Sequence, residues 1–100
     1  MSFDLNLLKC FHQVAVNKSI SLASLTLHLS QPAVSLQIKK LEDQLGKALF
    51  DRHNRGLILT PFGHLFLEKT NRILKIQKEI NDLTNASESF PSGQLRVGTY

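Results

Sequence analysis

Between Ser30 and Gly46 the chain reads SQPAVSLQIKKLEDQLG, and the pattern constrains this stretch to a single helix with two chemically different faces. Ser30 is an N-cap, because its hydroxyl suits the free N–H groups of a first turn. Pro32 falls in that turn, where a missing N–H costs little, and Gly46 is the stop. Val34, Ile38, Leu41 and Leu45 recur at i, i+4, i+7 and i+11, which at about 100° per residue gathers them into one stripe. That stripe needs a core. The other side carries Gln31, Pro32, Ser35, Leu36, Lys39 and Lys40, with short donors and acceptors near the N-terminus and positive charge after them. Such a face suits base edges and phosphates.

The flanking segments supply the core. Leu5, Leu8, Phe11, Val14 and Ala15 lay an apolar stripe along residues 4–17, with Asp4 placed to cap a first helix. Ser19 to Ser21 break the pattern, and Leu22 to His28 resume it as a short second helix with Ala23 and Leu27 at i and i+4. A small residue at position 23 lets this helix cross the next one closely, and the spacing of the pair is that of a helix-turn-helix. Short helix pairs of this kind also occur in bundles that bind no nucleic acid.

In LFDRHNRGLILT, residues 49–60, two short hydrophobic runs flank a tip containing Asn54, Arg55 and Gly56, which reads as a tight hairpin. Arg52, His53 and Arg55 make the tip basic. It is either a solvated loop or a reach toward a phosphate or a minor groove beside the helix. Thr60 and Pro61 then open a long helix over residues 61–86, Thr at the N-cap and Pro at N1.

Along that helix Phe62, Phe66, Lys69, Ile73, Ile76, Ile80 and Leu83 step alternately by four and three, a heptad seam with one polar exception. At about 1.5 Å per residue it runs roughly 39 Å, further than the small domain before it covers. The economical partner for the remainder is the same helix of a second copy, so Phe62, Phe66, Ile73, Ile76, Ile80 and Leu83 are expected to form a dimerisation seam. The other reading is an intramolecular bundle helix. Residues 87–93, SESFPSG, read as a hinge, and residues 94–100 alternate like the first strand of a second, truncated domain.

The run SISLASLTLHLSQPAVSLQIKKLE, followed by LFDR and then LTPFG, resembles the N-terminal DNA-binding domain of LysR-type transcriptional regulators. The matching pattern is roughly S-F-x-x-A-A-x-x-L-x-x-S-Q-P-A-L-S-x-Q-I-x-x-L-E, then L-F-x-R, a basic turn and L-T-x-x-G, and it covers residues 3–66 in order. The resemblance implies a mainly α fold. Residues 1–60 would form a winged helix-turn-helix, a three-helix core plus a short β-hairpin wing with the helix-turn-helix at about 20–39, and residues 61–86 a long dimerising linker helix. It also implies binding to an interrupted palindrome near a promoter, as a dimer or tetramer, with RNA polymerase as a possible further partner. A small-molecule effector would belong to the missing C-terminal domain, and no cofactor is expected in this fragment.

Carried over by position, Gln31, Pro32 and Ser35 match major-groove residues of the recognition helix. Ser30, Lys39 and Lys40 fit backbone contacts, and Arg52 and Arg55 match the wing. Leu36 stands where the family often has Arg. A leucine opposite the core stripe has no core to enter, so a thymine methyl or a protein surface is its use. Ser24 and Leu25 also depart from the pattern, the first replacing a usual Ala and the second a usually polar residue.

Composition narrows the function classes. One hundred residues with 42% hydrophobic content suffice for one small cooperative domain. The formal net charge of +4 favours a polyanionic partner. The excess gathers on and just after the Ser30–Gly46 helix, in Lys39, Lys40, Lys47, Arg52 and Arg55. His12, His28, His53 and His64 lie on separate segments without metal-ligand spacing, there is no phosphate-cradling glycine loop, and Ser35 has no evident base partner. An enzyme is not expected. The lone Cys10 reads as a small core residue, and with no signal peptide or membrane-length apolar run the chain reads as cytoplasmic. The rival to DNA binding is a helical dimerisation or adaptor module in which residues 61–86 do the binding and the basic tip is incidental.

Overall fold

A computed structural model of the chain describes residues 4–51 and 57–87. The elements run α1 (Leu5–Asn17), α2 (Ile20–Leu27), α3 (Gln31–Leu45), β1 (Phe50–Asp51), β2 (Ile58–Leu59) and α4 (Pro61–Ser87). The strands pair antiparallel, Phe50 opposite Leu59 and Asp51 opposite Ile58. The tip between them, with Arg52, His53 and Arg55, lies outside the described residues. So do the expected hinge beyond Ser87 and the expected terminal strand.

The first three helices start and stop where a side chain or a left-handed residue satisfies their ends. Asp4 accepts the Asn6 N–H at 2.9 Å, Ser19 that of Leu22 at 3.0 Å, and Ser30 that of Ala33 at 3.2 Å. These caps pair donors that the first turn of a helix otherwise leaves without an intrahelical partner. Lys18, His28 and Gly46 close α1, α2 and α3 with φ of 54°, 58° and 71°. The second helix begins at Ile20, earlier than the expected Leu22, because Ser19 acts as its cap and does not merely interrupt the pattern.

The core forms where α1 meets the other three helices and the hairpin. Phe11, Val14, Ala23, Val34, Ile38, Leu41 and Leu49 are fully or almost fully buried. Val34, Ile38 and Leu41 are the α3 stripe read from the sequence, and Leu45 packs at its edge. Ala23 is wholly buried in α2, which packs on both α1 and α3. The Phe11 ring touches those of Phe50 and Phe66, with centroids 5.6 and 5.4 Å away. Such aromatic contacts contribute about 0.5–1.5 kcal/mol each beyond area burial.

The hairpin is tied to both neighbouring helices. Glu42 Oε2 accepts the Leu49 and Phe50 backbone N–H groups. Thr60 Oγ1 donates to the Ala48 carbonyl at 2.8 Å and accepts the Gly63 N–H at 2.9 Å. From there α4 runs past the domain, and the molecule measures 56 × 27 × 17 Å.

Candidate nucleic-acid interface

The buried stripe of α3 decides what its other side presents. With Val34, Ile38 and Leu41 held in the core, Leu36 falls about 170° away around the helix at 100° per residue. It is 67% exposed. Gln31, Pro32, Lys39 and Lys40 are exposed beside it, and Ser35 is half-buried. Gln31, Pro32, Ser35, Leu36, Lys39 and Lys40 therefore lie along one side of α3, with Ser30 capping its start. Free N–H groups and the positive dipole end at its start favour an anion there.

Hydrogen bonds and charge differentiate this face. Gln31 Nε2 donates to the Ser21 hydroxyl of α2 at 3.4 Å. Lys39 Nζ lies 3.8 Å from Asp43 Oδ1, an exposed i,i+4 pair of a kind worth a few tenths of a kcal/mol. Part of the Lys39 charge is thus answered within the helix, whereas no ion pair within 4 Å is found for Lys40 among the described residues. The sequence pattern missed Glu42 as the residue anchoring the hairpin beside this face. The signal was its place in the quoted L-E pair, next to the buried Leu41.

The seam read along α4 divides. Ile73, Ile76, Ile80 and Leu83 are 43%, 55%, 58% and 67% exposed and form an uncovered apolar stripe. Phe62 and Phe66 are half-buried and pack against the chain's own core, apart from the exposed stripe. Their rings stack at 6.0 Å, Phe66 sits on Phe11, and Lys47 Nζ lies 5.8 Å from the Phe62 ring centroid. The side of α4 facing the domain is marked by Gly63, Phe66, Leu67 and Thr70, about 110° round the helix from the exposed stripe. Leu65, 62% exposed, is on the stripe side and was missed because it is out of heptad step. Its signal was an i+11 relation to Ile76 and an i+18 relation to Leu83.

Among the described residues no group of three His, Cys, Asp or Glu is placed to hold a metal ion. The Cys10 thiol is buried against the Val34 carbonyl, and desolvation pushes its pKa from 9.0 up to about 11, opposite to what a nucleophilic thiolate needs. No helix among the described residues is long and apolar enough to cross a membrane.

Comparison with known proteins agrees with this geometry. Residues 5–64 match the model of the bacterial regulatory helix-turn-helix proteins of the lysR family. The HTH-type transcriptional regulator CzcR of Bacillus subtilis (strain 168) is 41% identical over 96 residues, which is 96% of this chain and 32% of that protein. A probable RuBisCO transcriptional regulator of Cyanidioschyzon merolae is 38% identical over 98 residues, 98% of this chain and again 32% of its own length. The chain thus spans about a third of the curated relatives it matches. Among solved structures, the BenM DBD/catB site 1 DNA complex superposes with a TM-score of 0.83 at 31% identity, covering 88% of this chain and 99% of that one. The CbnR DBD–DNA complex gives 0.76 at 37% identity, covering 86% and 99%. The fold is the winged helix-turn-helix with a long following helix, and the chain belongs to the LysR family of bacterial regulatory helix-turn-helix proteins.

Proposed function

We propose that this chain is the DNA-reading part of a transcription regulator that binds duplex DNA as a symmetric dimer. The observation that carries the reading is the outer face of α3, where Gln31, Pro32, Leu36 and Lys40 stand exposed directly behind a fully buried stripe. Gln31, Ser35 and Leu36 take the base edges, with the glutamine amide suited to adenine and Leu36 to a thymine methyl. Ser30, Lys39, Lys40 and the hairpin residues Arg52, His53 and Arg55 serve the phosphates, which position the protein without reading sequence. The exposed Ile73, Ile76, Ile80 and Leu83 stripe joins two copies, and the two recognition helices then meet half-sites one helical turn apart or a multiple of it. That both solved structures compared above are DNA complexes supports this reading. Tetramer assembly, contact with RNA polymerase, response to a small-molecule effector and a cytoplasmic location belong, on the same reading, to a regulator of the relatives' full length.

Selection of bound duplexes from a random pool, followed by a salt titration of the winning sequence, tests the proposal. An interrupted inverted repeat is expected, with log affinity falling against log salt by about 0.9 per phosphate contacted. Recovery of no sequence preference, or a flat salt response, overturns it.

A further inference from the structure

Gln31, though exposed, has a hydrogen-bond partner on the neighbouring helix. Its Nε2 donates to Ser21 Oγ at 3.4 Å, a bond that crosses from the first turn of α3 to the first turn of α2. Both ends of that bond sit on fixed points. Ser21 lies two residues after the cap Ser19, whose hydroxyl takes the Leu22 N–H. Gln31 directly follows the cap Ser30, whose hydroxyl takes the Ala33 N–H. The Ser24 hydroxyl donates to the Ser21 carbonyl at 2.7 Å and stiffens the same turn. The two helices are held together over the wholly buried Ala23.

We infer that Ser21 is a positioning residue for base readout: it holds the Gln31 amide in one orientation and thereby sharpens the choice of adenine over guanine. This rests on the DNA-reading role given above to Gln31. An amide nitrogen carries two hydrogens, one on the same side as the carbonyl oxygen and one pointing away. Adenine is read by the oxygen accepting from N6 and the same-side hydrogen donating to N7. On this inference Ser21 takes the hydrogen that points away, so the adenine-reading edge stays complete.

Guanine presents two acceptors, O6 and N7, on that edge. A glutamine free to swing can offer guanine its NH2 group end-on. A glutamine whose outer hydrogen is already engaged keeps its oxygen turned toward O6, acceptor against acceptor. The serine thus contributes through the glutamine and adds little to the attraction for phosphate.

Duplex affinities of the full chain test this at the base pair whose preference disappears in Gln31→Ala. In Ser21→Ala, an exposed change to a better helix former, the adenine-over-guanine ratio at that pair is expected to fall about 3- to 10-fold, the scale of one neutral hydrogen bond. The salt slope stays the same, and Ser21→Thr, which restores a hydroxyl, recovers most of the ratio. An unchanged ratio in Ser21→Ala, or equal weakening on every sequence, overturns the inference while leaving the Gln31 reading intact. If Gln31→Ala itself alters no base preference, the reading beneath fails, and the inference fails with it.

Discussion

Glu42 reaches beyond the end of its own helix to Leu49: Oε2 accepts the Leu49 backbone N–H at 2.8 Å and that of Phe50 at 3.3 Å. One carboxylate thereby satisfies two successive main-chain donors at the point where the chain leaves α3 and enters the hairpin. The hairpin has only two residues per strand to hold it by its own ladder, so its placement beside α3 depends on this contact and on the Thr60 cap.

Replacing Glu42 with Ala leaves both donors without that acceptor and is expected to cost about 1–2 kcal/mol, since bonds to a charged acceptor are stronger than neutral ones and this one is partly exposed. Glu42→Gln keeps an acceptor oxygen and should lose less. Urea unfolding of the three proteins measures the order. Equal stability of all three would remove the carboxylate from the account.

Gly63 sits with its α-carbon against the Leu49 carbonyl, and a Cβ there would fall onto that oxygen and crowd the Leu59 side chain at 3.0 Å. In an open helix position Gly→Ala is stabilising by up to about 1 kcal/mol. Here the obstacle is backbone, so Gly63→Ala is expected to lower stability by about 1–3 kcal/mol as α4 is pushed off the hairpin. Thermal unfolding decides the sign, and a raised midpoint would show that the helix does not seat there.

Residues on α4 separate folding from association. Phe66→Ala removes a ring that packs on Phe11 and is expected to cost about 2–4 kcal/mol of fold stability. Ile76→Asp and Ile80→Asp alter exposed positions and should leave the helical spectrum intact while shifting the chain toward monomer in sedimentation. Unaltered association in both aspartate variants would mean that the exposed stripe is not where copies meet.

The recognition face makes a sequence prediction. Leu36→Arg introduces a planar donor fork on the most outward part of α3, and arginine's best partner in the major groove is guanine. Bound sequences selected by this variant should gain guanine at the step that Leu36 meets. Lys40→Ala, in contrast, should lower affinity for all sequences alike and reduce the salt slope by about 0.9. A shifted preference in Lys40→Ala with none in Leu36→Arg would reverse these assignments.

Cys10 makes an alkaline prediction. Burial raises its folded-state pKa from 9.0 to about 11, so the folded chain holds the thiol proton to higher pH than the unfolded chain does. The stability from this neutral thiol is fully present below pH 9 and is lost as pH rises from 9 toward 11. Unfolding free energy should decline across that window, and Cys10→Ala should remove this part of the decline. At neutral pH the thiol should react with an alkylating reagent only as fast as the core opens.

Much of this protein is decided by the sequence alone. Asp4, Ser30, Gly46 and the Thr60-Pro61 pair mark helix ends because capping is a contact between near neighbours. The Val34, Ile38, Leu41 stripe follows from periodicity, and with it the identity of the outward face. The tertiary structure decided which face meets what. Phe62 and Phe66 belong by spacing to the same seam as Ile73, yet the packing of α4 on the domain half-buries the two rings against the core and leaves the isoleucines uncovered. Glu42 reaching Leu49, Leu49 against Gly63 and Gln31 on Ser21 likewise depend on crossing angles between elements. Helical periodicity specifies directions around one axis, and the relation between two axes is set only when both are packed.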